Sequence, residues 1–244
     1  MNNTVYNSAD TNNIIEKLET NITISQIKQL TNTLYNQGYE GEEKLLNFLI
    51  HRRIIQKKTI LILDGILFQV LYKTKNKNIA QKLQQYFKNG IINLKQDFRI
   101  NYQPLQNLLI QNKFEEADKI TQKYLCNLAG LDSNNKRQWL YFTDIPLIPS
   151  EDLLIIDLLW RVYSQGKFGF SVQRKIWLAN NCKWTKLWNQ IGWTNKGIPC
   201  RYPEEFIWTI DAPSGHLPLF NQLRGIQVLS SLFEHIAWQQ VNDL

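Results

Sequence analysis

The stretch Leu153 to Gln173 reads LLIIDLLWRVYSQGKFGFSVQ, and its periodicity decides the character of the chain around it. Leu153, Ile156, Leu159, Trp160 and Tyr163 recur at the three- and four-residue spacing that puts them on one side of an amphipathic helix. Ser150 is the expected N-cap, preceded by Pro149 and followed by Glu151 and Asp152, whose carboxylates oppose the positive end of the helix dipole. Gly166 is the expected stop. After a tight turn through Gly166 and Gly169, anchored by Phe168 and Phe170, Ser171 is expected to cap a second helix running through Trp177 and Leu178. Trp184, Leu187, Trp188 and Ile191 repeat the spacing once more, and Gly192 closes it. The FGFSVQ segment thus reads as architecture, and Arg174 and Lys175 beyond it are candidates for a rim charge or for a solvated face, the commoner case.

Helical spacing extends in both directions. Upstream, Leu105, Leu108 and Leu109 share a face, as do Phe114, Ala117, Ile120, Tyr124 and Leu125. Nearer the start come shorter bursts: Ile27, Leu30 and Leu34; Leu45, Leu46, Leu49 and Ile50; Ile79, Leu83, Tyr86 and Phe87, punctuated by Gly38, Gly41 and Gly90. The run Ile60 to Tyr72 is rich in β-branched and aromatic residues, yet with helices on both sides it reads as a buried helix. The chain is therefore expected to be all-α. Residues 1–90 should form an antiparallel helical bundle or short solenoid of four to six helices, 91–101 a linker, and 102–244 a second helical domain with long loops.

The exception to the periodicity is Trp193 to Phe220, where Gly, Pro and aromatic residues accumulate. Trp193, Tyr202, Phe206, Ile207 and Trp208 are too apolar for a purely solvated loop, and long loops of this kind usually carry function.

Charge narrows the ligand without naming it. The formal net charge is +7, with twelve basic against seven acidic residues up to Gly90. Between Asp157 and Glu204 there are eight Lys/Arg, no Asp or Glu, and five of the eight tryptophans, a mixture suited to a flat, apolar, anionic ligand. A basic balance also suits nucleic acid or an anionic membrane. No helix-turn-helix or RNA-recognition signature supports nucleic acid, so none is expected as partner. Cys126, Cys182 and Cys200 make neither a disulfide framework nor a zinc motif. Asp118, Asp152 and Asp157 lie on separate helices, and no acid/base constellation, phosphate loop or nucleophile elbow is present. The first residues, MNNTVYNSADTNN, carry neither a secretory h-region nor an arginine-rich transit helix, and Asp64 interrupts the longest apolar run; a soluble chain is expected.

Several motifs in this order resemble the genomes-uncoupled-four family of tetrapyrrole-binding proteins. They are Phe114-Glu115-x-Ala117-Asp118, Gln138-Trp139-Leu140-Tyr141-Phe142, Phe168-Gly169-Phe170-Ser171-Val172-Gln173, Ala212-Pro213-x-Gly215-His216-Leu217-Pro218 and Asn221-Gln222-Leu223-Arg224-Gly225. The resemblance covers roughly residues 100–240; the first ninety match only in style. It implies an all-helical domain with two long loops cupped around an apolar surface that binds protoporphyrin IX or magnesium protoporphyrin IX. The implied role is carrier and activator of magnesium chelatase in chlorophyll synthesis, with no catalytic cofactor and no metal site in the protein. The large porphyrin-binding subunit of the chelatase is the implied partner. A monomer is expected, in the plastid stroma and able to visit a membrane, or in the cytoplasm of a cyanobacterium.

The site residues implied follow the matching positions. Arg224 is the expected partner of a porphyrin propionate, because a guanidinium grips a carboxylate with two hydrogen bonds. Phe142, Ile145 and Tyr202 stand at positions expected to line the pocket, with Asn221 as a polar contact. Trp193 and Trp208 either floor the pocket or pin the loop, and pinning is favoured. His216 offers an imidazole for axial ligation of a porphyrin metal, but within Pro-x-Gly-His-Leu-Pro it reads as the stay of a rigid turn. His51 and His235 read as surface residues. The chain departs from the pattern at Gln122 and Gln227, where basic residues are expected, and at Pro199, where a tryptophan is.

Overall fold

The computed structural model describes residues 8–20, 22–94, 98–131, 137–219 and 226–240. The chain divides into two compact units, Met1–Asn93 and Leu94–Leu244. No described helix is long and apolar enough to cross a membrane.

The first unit is built from α1 (Ser8–Leu18), α2 (Ile24–Tyr35), α3 (Tyr39–Ile50), α4 (Ile62–Tyr72) and α5 (Lys77–Tyr86). The Ile60 to Tyr72 run is therefore helical from Ile62 onward, with Leu67 and Leu71 buried, as are Leu34, Leu45, Leu46 and Leu49. Helices α2 and α3 approach so closely that a Cβ on Gly41 would lie 1.8 Å from the Leu34 carbonyl oxygen. A π-helical turn, His51–Ile55, ends α3. It carries Arg52 into the interior, where Nε donates to Asp64 Oδ1 at 2.9 Å. Asp64 Oδ2 in turn accepts from the Leu61 amide at 2.8 Å, so one buried carboxylate both pairs the guanidinium and caps α4.

The second unit contains α6 (Gln103–Ile110), α7 (Phe114–Leu128), α8 (Ser150–Tyr163), α9 (Phe170–Ala179), α10 (Trp184–Gln190) and α11 (Ile226–Phe233), with short 3-10 turns at Ile145–Leu147 and Ile236–Gln240. Its centre is Trp160, stacked on Phe114 and met edge-on by Phe168. Trp160 Nε1 donates to Thr121 Oγ1 at 3.0 Å, and that hydroxyl donates to the Ala117 carbonyl, so the indole's polar atom is satisfied in the core.

Two expected caps fall elsewhere. Ser150 is the first helical residue of α8, after the extended Pro149, and makes no side-chain cap; Asp152 in that first turn accepts from the Tyr102 hydroxyl at 2.6 Å. Ser171 lies inside α9, and the capping group comes from α8. Asp157 Oδ1 accepts from the Ser171 amide and Oδ2 from its hydroxyl, both at 2.8 Å, while Arg161 Nε donates to Oδ2 at 2.7 Å. This fit requires glycine at 169. Its backbone sits at φ 135°, ψ 156°, and an added Cβ would lie 2.8 Å from Asp157 Oδ1.

Candidate functional site

The aperiodic segment after Gly192 is held to the helices through its polar groups. It opens with a two-residue hairpin, β1 (Thr194–Asn195) against β2 (Ile198–Pro199), whose turn residues Lys196 and Gly197 both have positive φ. Trp193 is buried, and its Nε1 donates to the His216 carbonyl at 2.8 Å. His216 is fully buried as well: Nδ1 meets the Ile191 carbonyl at 2.6 Å, and Nε2 accepts from the Ile207 amide at 3.0 Å. Burial holds the imidazole below the ordinary histidine value, despite the opposing effect of the Ile191 hydrogen bond. With both ring nitrogens taken by backbone, this histidine is the stay of the turn and offers no atom to a porphyrin metal.

Further anchors come from α9 and from the turn before it. Gln173 Nε2 donates to the carbonyls of Gly215 and Pro218 at 2.9 and 2.8 Å, and Lys167 Nζ to that of Ile210 at 2.6 Å. The final anchor is Asp118 on α7, whose Oδ1 accepts from the Leu219 amide at 2.6 Å. Burial pushes this carboxyl up to about 8, against the smaller lowering effects of that amide and of Lys119.

Beside Asp118 the solvent-facing side of α7 borders a cavity of about 960 Å³, whose walls include Lys119, Gln122, Lys123 and Cys126 together with Arg99 and Arg137. The volume lies at the upper end of the range for small-molecule sites. Four of those six side chains are cationic. Arg137 lies 4.4 Å above the Tyr141 ring and 2.8 Å from Asp144 Oδ2, and Lys119 pairs with Glu115 at 2.7 Å. The segment that supplies Arg137 then turns Tyr141 and Phe142 outward, both about half exposed. Its fold is fixed by Asp144, which accepts from the Tyr141 amide at 2.7 Å, and by Ser231 of α11, whose hydroxyl donates to the Phe142 carbonyl at 3.1 Å.

The residues read from the sequence separate into three groups. Phe142 and Tyr202 present aromatic surface, at 49% and 39% exposure. Tyr202 rests edge-on against Trp208, whose Nε1 donates to the Pro203 carbonyl at 3.0 Å, and it lies within electrostatic reach of Asp118 and Lys119. Ile145 and Trp193 are core side chains, at 0% and 3% exposure. Arg224 and Asn221 lie outside the described residues. Leu219, held by Asp118 next to the cavity's Lys119, precedes the stretch that carries them.

Other expectations are corrected. His235 is buried, not at the surface: Nε2 meets the Ile148 carbonyl at 3.0 Å and Nδ1 accepts from the Ala237 amide at 3.1 Å. Arg174 is not simply solvated, since its Nε donates to the Phe233 carbonyl at 2.7 Å and ties α9 to the end of α11. The cavity cations Arg99, Lys119, Lys123 and Arg137 went unread in the sequence. The four-residue spacing of Lys119 and Lys123 on one helix, and of Arg137 and Tyr141, is visible in the sequence but does not by itself mark a cavity.

The GUN4-like family model matches residues 95–236, more than half of the chain and nearly all of the second unit. The chain belongs to the GUN4-like family. An ARM-like repeat domain described as GUN4-N terminal matches residues 4–88. The ycf53 protein of Porphyra purpurea is 47% identical over 211 residues, which span 86% of this chain and 88% of that one. A chloroplastic tetrapyrrole-binding protein of Arabidopsis thaliana is 36% identical over 148 residues, 57% of this chain and 56% of its own. The solved structure of GUN4 from Chlamydomonas reinhardtii superposes with a TM-score of 0.54 at 39% identity, covering 60% of this chain and 96% of that one. Seen within the GUN4-like family, the cavity, the anchored loop and the Arg137 to Phe142 segment all fall inside the matched region.

Proposed function

We propose that this protein binds protoporphyrin IX and magnesium protoporphyrin IX beside α7 and stimulates magnesium chelatase as a carrier and activator, not as a catalyst. The observation that carries the reading is the cavity of about 960 Å³ edged by Arg99, Lys119, Lys123 and Arg137, in a unit that also exposes Tyr141, Phe142 and Tyr202. A porphyrin has two broad π faces and two propionates, so it needs aromatic or aliphatic walls with a few cations at one edge. Arg224 and Arg137 are the propionate partners in this reading, and Phe142 and Tyr202 contact the macrocycle. Trp208 backs Tyr202, Ile145 and Trp193 support the site from within the core, and Asn221 adds a polar contact. The name of the Arabidopsis relative supports a tetrapyrrole ligand. Support for a carrier comes from the carboxylates, since Asp118, Asp152 and Asp157 are occupied by a loop amide, a phenol and a helix start. The protein acts as a monomer in the plastid stroma and docks on the large porphyrin-binding subunit of the chelatase.

Quenching of tryptophan fluorescence by a soluble deuteroporphyrin tests the ligand. Arg224→Ala and Arg137→Ala should each weaken binding at least about tenfold, the scale of one charged hydrogen-bond partner. A folded wild type that shows no quenching would overturn the proposal. Chelatase assays then separate the modes of activation: delivery predicts a stimulation that disappears at saturating porphyrin, whereas an allosteric effect persists.

A further inference from the structure

We propose that the turn formed by residues 51–61, in the first unit and independent of the porphyrin site, is a contact for anionic lipid surfaces. From Lys44 to Leu63 the chain has no acidic residue and carries Lys44, Arg52, Arg53, Lys57 and Lys58. Arg52 is withdrawn into the buried pair with Asp64, which leaves Arg53, Lys57 and Lys58 to set the charge of the turn. Among them three aliphatic side chains face solvent: Ile54 at 42%, Ile55 at 65% and Leu61 at 52% exposure.

The residues from Ile54 to Thr59 are all exposed, so the tip of the turn is open to solvent along its length. The tip is built, not frayed. The Gln56 amide donates to the His51 carbonyl at 2.8 Å and the Lys58 amide to the Arg52 carbonyl at 3.0 Å, while the Arg53 guanidinium also donates to the Lys58 carbonyl. Lys57 takes a positive φ at the apex. A π-helical end followed by such a turn is an uncommon way to finish a helix, and π-bulges recur at functional sites. The only anionic partner seen on the tip among the described residues is Glu19, 3.4 Å from Lys58 at a half-exposed surface pair that a stronger anion can replace.

Aliphatic tips ringed by cations on an exposed turn match the interface of an anionic bilayer, where the apolar ends enter the acyl boundary and the ammonium groups meet headgroup charge. An acidic peptide or nucleic acid would use the cations and leave Ile54 and Ile55 in water. The two aliphatics therefore decide the occupant.

Flotation of the full chain with phosphatidylcholine vesicles, with and without phosphatidylglycerol, tests this in the absence of porphyrin. Binding is expected only to the anionic vesicles and should weaken as salt rises. Ile54→Ser with Ile55→Ser should lower partitioning about tenfold, from the apolar surface lost. Lys57→Gln should lower it about fivefold, from one headgroup-facing charge. All these positions are exposed, so an unchanged circular dichroism spectrum confirms folding. Equal binding to neutral vesicles, no binding to either kind, or wild-type binding by the isoleucine pair variant would each overturn the proposal. Retention on a soluble polyanion with no effect of the isoleucine changes would assign the tip to an acidic macromolecule instead.

Discussion

Replacing His216 by alanine tests the idea that the loop is held by its buried polar groups. The change leaves the Ile191 carbonyl and the Ile207 amide without their ring partners. Each orphaned group costs about 1–3 kcal/mol, so a loss of about 2–6 kcal/mol is expected before any cavity effect. The same residue has a pH signature. Its folded-state pKa lies below the ordinary 6.5, so the unfolded chain takes up a proton first as pH falls. The stability it contributes is thus complete above about pH 6.5 and declines toward acid, with a limiting slope of about 1.4 kcal/mol per pH unit. His235 is depressed by burial in the same way and adds its own slope. Urea unfolding followed by tryptophan fluorescence, at several pH values between about 5 and 8, should show a shallower acid decline in His216→Ala than in wild type, and likewise in His235→Ala. A His216→Ala protein destabilised by less than about 1 kcal/mol, or one with the full wild-type acid slope, would refute the anchoring role.

Two further substitutions probe the supports around the site. Asp118 is raised to about 8, so its own contribution to stability should fall as pH climbs from the unfolded carboxylate range near 3.8 toward 8, opposing the histidine slopes, because the folded state must give up its extra proton. Asp118→Asn keeps an acceptor for the Leu219 amide and should flatten that decline, leaving the variant more stable than wild type by about 1–3 kcal/mol near pH 8, as read from unfolding midpoints. Gly169→Ala combines a backbone conformation reserved for glycine with a Cβ 2.8 Å from Asp157 Oδ1, and should cost at least about 2 kcal/mol in the same assay.

Periodicity carried the helices. The stripe from Leu153 to Tyr163 lies on α8 with Leu153, Ile156, Leu159, Trp160 and Tyr163 all buried, because burial of a continuous apolar face is a local pattern that any core must satisfy. The polar partners were harder to read, because they are set by tertiary contact. Ser150 and Ser171 have the right chemistry for caps, yet α9 takes its cap from Asp157 in another helix, and no local spacing announces that. His235 looked like a surface residue because Ile148, which it meets, is remote in sequence. Phe142 and Tyr202, named from motif positions, do present aromatic surface, whereas the cavity cations could not be named, since a lysine pair on an amphipathic helix reads the same whether it edges a cavity or open water.

The arrangement separates stability from recognition. The loop's fixed points, Trp193, Gln173, His216 and Asp118, are buried and bind backbone groups, so they set where the loop lies irrespective of any ligand. The groups that face outward, Tyr141, Phe142 and Tyr202, make few of those bonds and rest on neighbours that are themselves anchored, as Tyr202 does on Trp208. If the proposed porphyrin site is right, a surface so supported would lose little conformational entropy when a rigid macrocycle settled on it, and such preorganisation favours affinity for a flat ligand. On the proposed reading a cation would add orientation: Arg137 is held by Asp144 and by the Tyr141 ring, so a propionate there would exchange one carboxylate partner for another.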